Sequence, residues 1–177
     1  MSNKESTPML VLILGIITLV TAVILGFVNE ITEPRIAAMK VAERTAAFAD
    51  FFPTADQFKE ADLPDGTTAT GGYIAVDDAG NQIGCIVLIA PTGFGGPIEM
   101  AVGFDLDNLV CGFKLLSMSE TSGIGTRVQD ESFWGKFIGL SSFESIDTLS
   151  GATITSSAVL SGVTNAAAAA SQLAVKP

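Results

Sequence analysis

Residues 9–28 are twenty consecutive positions without a charge, relieved in their apolarity only by Thr18, Thr21 and two glycines. At ~1.5 Å per residue such a helix spans ~30 Å, the hydrocarbon thickness of a bilayer, so the pattern predicts a transmembrane helix. A cleaved signal peptide would have a shorter apolar core followed by an A-x-A-like site, and neither feature is present. Beyond it, Ile31-Thr32-Glu33-Pro34 reads as a cap and first-turn proline opening a second helix that Pro53 stops. Ala37, Val41, Thr45, Phe48 and Phe52 recur at spacings of three and four, with Lys40, Glu43 and Asp50 opposite. That is the pattern of an amphipathic stalk lying on the domain that follows.

Residues 56–72 hold four acids, Pro64 and Asp65-Gly66 before a Thr-rich run, which is loop chemistry. Helical spacing then gives way to short apolar runs at 73–76, 82–90, 98–104 and 109–118. The intervening turns fall at Asp77-Asp78-Ala79-Gly80-Asn81, at 91–97 and at Asp105-Leu106-Asp107-Asn108, so four antiparallel strands are predicted. Residues 130–137 start with acids and set Phe133 and Phe137 four apart, as in a short helix with one apolar face, where Trp134 packs and does not stack on a ligand. Residues 157–173 are alanine-rich around Gly162 and predict a last helix able to approach a neighbour closely. The fold class is α+β: an N-terminal transmembrane helix and one domain with a largely antiparallel sheet flanked by helices. The expected divisions are a tail at 1–8, the membrane helix at 9–28, the stalk at 29–55 and the domain at 56–177.

The candidate chemistry gathers at the entrance of the last helix, in Asp147-Thr148-Leu149-Ser150-Gly151-Ala152-Thr153-Ile154-Thr155-Ser156. Hydroxyls collect at such entrances as caps for the free N–H groups of the first turn. The same N–H groups, with the positive end of the helix dipole, also favour a phosphate. The stretch resembles the flavinylation motif Asp-x-x-Ser/Thr-Gly-Ala-Thr-x-Thr, matching every specified position from Asp147 through Ser150, Gly151, Ala152 and Thr153 to Thr155. The chain is thereby similar to the FMN-binding subunits of the Rnf complex and of the sodium-pumping NADH:quinone oxidoreductase, and closer to RnfG.

The resemblance implies FMN held by a phosphoester bond to Thr155. It also aligns Glu120-Thr121-Ser122-Gly123-Ile124-Gly125 with a Glu-Thr-Pro-Gly-Leu-Gly segment that lies against the isoalloxazine ring, Ser122 and Ile124 replacing Pro and Leu. By itself that loop is a strand-to-helix turn, and no Gly-Lys-Ser/Thr follows to make a nucleotide-binding phosphate loop. Gly93-Phe94-Gly95-Gly96-Pro97 resembles the family's aromatic and glycine loop. Asp147 is expected to be read by the flavin transferase that matures the protein.

Composition narrows the function further. Lys4 and Glu5 cancel, so the net charge of −10 lies wholly after the tail and nucleic acid is excluded as a partner. With no His, and acids scattered through turns, no acid–base dyad or nucleophile–base pair assembles, and no metal set is expected. Cys85 and Cys111 each sit in an apolar run and read as small buried hydrophobes sooner than as a disulfide.

The expected function is a membrane-anchored electron carrier within an ion-translocating ferredoxin:NAD⁺ oxidoreductase, without independent activity, partnered by the other subunits of that complex. A stand-alone flavoprotein reductase and a non-redox anchored scaffold are the alternatives. Lys4 before the apolar run against Arg35, Lys40 and Arg44 after it weakly favours a cytoplasmic domain. The resemblance implies the extracytoplasmic side.

Overall fold

The computed structural model describes residues 6–63 and 66–173. The chain divides into two compact units, one ending at Ala42 and the other beginning at Glu43. Helix α1, Ser6–Phe51, carries a stretch long and apolar enough to cross a membrane by length and composition. Its hydroxyls are satisfied within the helix: Thr18 Oγ1 donates to the Leu14 carbonyl at 3.0 Å and Thr21 Oγ1 to Ile17 at 2.7 Å. Without such back-bonding, a hydroxyl in hydrocarbon would be left unpaired.

Two expectations about this region are corrected. The helix does not stop and restart at Thr32-Glu33-Pro34 but runs through Pro34. Thr32 does not cap, because its hydroxyl turns back onto the Val28 carbonyl at 2.7 Å. Good helix formers on both sides carry the helix past the N–H that proline lacks. The packed face also differs, since Val41 and Thr45 are exposed while Ala47, Phe48 and Phe52 are buried. Contact with the sheet is thus made by the last two turns of α1, and the side chains of Ala37 and Lys40 lie outside the described residues.

Five strands form one antiparallel sheet in simple sequence order: β1 (Gln57–Ala61), β2 (Ala69–Val76), β3 (Gln82–Ile89), β4 (Ile98–Phe104) and β5 (Val110–Met118). The four predicted strands are present. The fifth, β1, corrects the reading of 56–72 as loop throughout: Gln57-Phe58-Lys59-Glu60-Ala61 is a charged edge strand pairing Lys59 with Ile74 and Phe58 with Ala75. Charge on an edge strand deters pairing with foreign strands.

After β5 come a 3-10 turn at Gly125–Gln129, α2 (Glu131–Trp134), a second 3-10 turn at Gly135–Phe137, and α3 (Thr153–Leu173). Alternation along the strands divides the core in two. Cys85, Val87, Ile89, Met100, Val102 and Phe104 face α3, through Val159, Val163, Ala166 and Ala170. Ile86, Leu88 and Ala101 face the end of α1. The two thiols are free, with Cys85 in the first cluster and Cys111 against the second. The antiparallel sheet flanked by helices is as expected.

Phe133 and Phe137 are fully buried, and Phe137 meets Phe113, Phe133 and Phe143 edge-on at centroid distances of 5.3, 5.4 and 6.1 Å. Trp134 packs as expected, parallel to Phe113 with its indole N–H on the Gln129 carbonyl at 3.1 Å. Helix α3 lies very close to the β3–β4 connection at Gly162, where a Cβ would strike Met100 Cε and come within 2.8 Å of Pro91 Cγ. That approach sets the middle of α3 tightly against the sheet.

Candidate functional site

The motif folds as a tight turn feeding a helix. The Ala152 amide donates to the Leu149 carbonyl at 2.9 Å, and Gly151, third of the four turn residues, has φ +82°. A positive φ at that position is what a type II turn demands and what glycine supplies without strain. Such a turn directs the central carbonyl outward, and Arg127 Nη1 donates to the Ser150 carbonyl at 2.9 Å. Ser156 secures the other side: its Oγ accepts the Leu149 amide at 3.0 Å and donates to the Ala152 carbonyl at 2.8 Å.

Helix α3 starts at Thr153, four residues earlier than the sequence pattern predicts, so Thr155 lies within the first turn and not ahead of it. It is 3% exposed. The amides of a first turn have no partner within the helix, so Thr153, Ile154 and Thr155 present theirs at the positive end of a 21-residue helix.

Opposite this turn stand two loops tied together by one carboxylate. Glu120, just past β5, accepts the Gly95 amide on Oε1 at 3.0 Å and the Thr155 hydroxyl on Oε2 at 2.9 Å. Its seat exists because two neighbours lack side chains. A Cβ on Gly93 would collide with Oε1, and one on Gly125 would lie 2.7 Å from Oε2. Gly95 is equally constrained, since a Cβ there would collide with the Ser119 carbonyl.

Between these segments is a cavity of about 400 Å³ lined by Phe94, Glu120, Thr121, Ile124 and Gly125 on one side and by residues 151–155 on the other. Phe94, Ile124 and Ile154 are largely exposed there and give it apolar walls. The volume falls in the usual range for small-molecule sites, ~300–1,000 Å³. An apolar slot with a hydroxyl and free first-turn amides at one end suits a planar ring carrying a phosphate tail.

Of the residues singled out from sequence, the cavity brings together Glu120, Thr121, Ile124, Gly125, Gly151, Ala152, Thr153 and Thr155. Gly123, Ser150 and Asp147 are exposed and outside its lining. Gly123 has φ +77° and donates its amide to Thr126 Oγ1, and Ser150 serves through its carbonyl. Sequence reasoning assigned no site role to Phe94, Ile154, Arg127 or Ser156, although Phe94, Ile154 and Ser156 lie in stretches it singled out. Phe94 was signalled by the lone aromatic in its glycine loop; the others have no local signature. No cluster of three or more potential metal ligands occurs among the described residues.

Comparison with known proteins defines the class. Residues 93–168, which include every lining residue of the cavity, match the model of the FMN-binding domain, and residues 1–50 match that of the RnfG N-terminal region. The G subunit of the ion-translocating oxidoreductase complex of Stutzerimonas stutzeri is 30% identical, over 92% of this chain and 80% of that protein. Its namesake in Methanosarcina acetivorans is 27% identical over 94% of this chain and 95% of that protein. The G subunit of the proton-translocating ferredoxin:NAD⁺ oxidoreductase complex of Clostridium ljungdahlii is 28% identical over 86% and 85% respectively. The chain thus carries an FMN-binding domain preceded by an apolar helix. The chain belongs to the RnfG family.

Proposed function

We propose that this chain is the flavin-bearing electron-transfer subunit of an ion-translocating ferredoxin:NAD⁺ oxidoreductase, with FMN esterified through its phosphate to Thr155. The observation that carries the reading is the placement of Thr155. The last residue of the motif sets its hydroxyl on the wall of an apolar cavity, inside the first turn of α3. Names borne by the relatives support the reading of the complex; the geometry of the site supports the attachment.

FMN, when bound, supplies one- and two-electron redox chemistry, and the protein supplies position and exclusion of solvent. Thr155 tethers the phosphate beside the amides of Thr153, Ile154 and Thr155, where the helix dipole favours an anion. Phe94, Ile124 and Ile154 enclose the ring, and the main chain at Gly125 and Gly151 borders it without side chains. Asp147, exposed on the approach to the turn, is the residue a flavin transferase would read before attachment. The apolar part of α1 anchors the chain in the membrane, with the flavin domain extracytoplasmic and the other subunits of the complex as partners.

One experiment tests both attachment and side. The full chain is co-expressed with a flavin transferase that is either exported or retained in the cytoplasm, and its mass is measured. A gain of FMN less one water, seen only with the exported transferase and lost in Thr155→Ala, is expected. An unmodified Thr155 after exposure to the active exported enzyme overturns the attachment. Modification by the retained enzyme alone overturns the orientation.

A further inference from the structure

Glu120 is held on both oxygens, by the Gly95 amide and by the Thr155 hydroxyl. The absence of side chains at Gly93 and Gly125 lets it sit there, and the backbone of those residues hems it in. Among the described residues it is the only charged one lining the cavity and has no ion-pair partner. Of the elements packed around it, residues 90–97 and the first turn of α3 carry no charged side chain. The 3-10 turn carries Arg127, whose Nη1 is engaged by the Ser150 carbonyl.

Esterification of Thr155, the reading on which this inference rests, upsets that arrangement. Oγ1 loses the proton that Oε2 accepts, and a phosphodiester anion is joined to the same oxygen. Two anions side by side with no cation between them repel, and at Thr155, which is 3% exposed, little water reaches the shared oxygen to screen them. Swinging the carboxylate away would forfeit the bond to the Gly95 amide and bring it against the loops that hem it in.

We propose that Glu120 keeps the proton that Thr155 gives up, so that the flavin-loaded site contains a neutral Glu120 carboxyl donating its O–H to the phosphoester. The balance is simple. Thr155 Oγ1 forms a bond to the FMN phosphorus of a phosphoanhydride-activated flavin, and the anhydride P–O bond breaks. The leaving phosphate departs with the bonding pair, and the hydroxyl proton ends on Oε2. The cavity holds one negative charge before the reaction, on the carboxylate, and one after it, on the phosphodiester. Glu120 is thus a positioning residue whose protonation state is set by loading.

Phosphorus-31 NMR of the loaded full chain in detergent, titrated with pH, reads this directly. A phosphodiester has no proton of its own to lose in the range concerned. Movement of its resonance above about pH 5, where an unperturbed glutamate with a pKa of about 4.3 is already ionised, therefore reports a neighbouring group. The expected result is such a movement, abolished in Glu120→Gln. A resonance that stays fixed, or that moves equally in Glu120→Gln, overturns the proposal.

If Glu120→Gln does not load, the native chain with carbon-13-labelled glutamate decides. An infrared band of protonated carboxyl present only after loading supports the proposal, and its absence overturns it. A bare Thr155 by mass together with no phosphodiester resonance overturns the attachment itself, which separates failure of the two readings.

Discussion

Two glycines of one loop play different parts at the scale of single residues. Gly123 has φ +77° and open space around its α-carbon, whereas a Cβ on Gly125 would press on Glu120. Gly123→Ala therefore costs backbone strain of ~1–3 kcal/mol and leaves Glu120 in place. Gly125→Ala costs a similar ~1–3 kcal/mol by overpacking but pushes Glu120 off its partners. Amide exchange at Gly95 separates them: it is faster in Gly125→Ala and unchanged in Gly123→Ala, and equal rates in both would disprove the assigned roles. The sequence pointed to Thr155 because motif residues adjacent in the chain are recognisable together. The Thr155–Glu120 bond was hidden, because a pairing across 35 residues leaves no periodic trace.

Glycine also explains what the pattern of elements did not reveal. The apolar runs of β2 to β5 were readable because one face of each strand is sealed by α3, the other by the end of α1. How α1 docks was not readable, since it depends on an absence of side chains. Gly103 and Gly112 pair across β4 and β5, and the ring of Phe51 fills the slot they leave, so that a Cβ at Gly112 would collide with it. Strand β1 was missed for another reason, because its one acid, Glu60, and the flanking Asp56, Asp62 and Asp65 resemble loop composition. Phe51→Ala should lower stability by about 2 kcal/mol, since the ring is only partly enclosed. Phe137→Ala, which empties a fully buried site among three rings, should cost ~3–5 kcal/mol. Urea midpoints of the detergent-solubilised full chain measure both, and the reverse order would contradict this account of the packing.

For the molecule as a whole, an acidic surface surrounds an interior that resists ionisation. Burial pushes the Cys85 thiol up to about 12, with Cys111 and Asp105 adding to it, and burial followed by Asp105 pushes Cys111 up to about 11. The folded state thus holds thiol protons that the unfolded chain releases near the ordinary value of 9.0. Their contribution to stability is complete below that value and is lost as pH rises through about 11 and 12. Cys85→Ala should flatten that alkaline decline in a pH series of thermal melts, and an unchanged slope would show that the thiol is not its source. The sequence foresaw two apolar thiols but not that they occupy opposite faces of the sheet, since a bulge in β5, opposite Gly103 and Phe104, shifts the alternation.

Trp134, the chain's one tryptophan, lies parallel to Phe113 at a centroid distance of 6.3 Å, with its indole nitrogen anchored to Gln129. Its fluorescence therefore comes from a single environment and needs no engineered label. Loading of the cofactor and melting of the aromatic cluster can then be followed in one cuvette, the first by the flavin's visible absorbance and the second by the indole's emission.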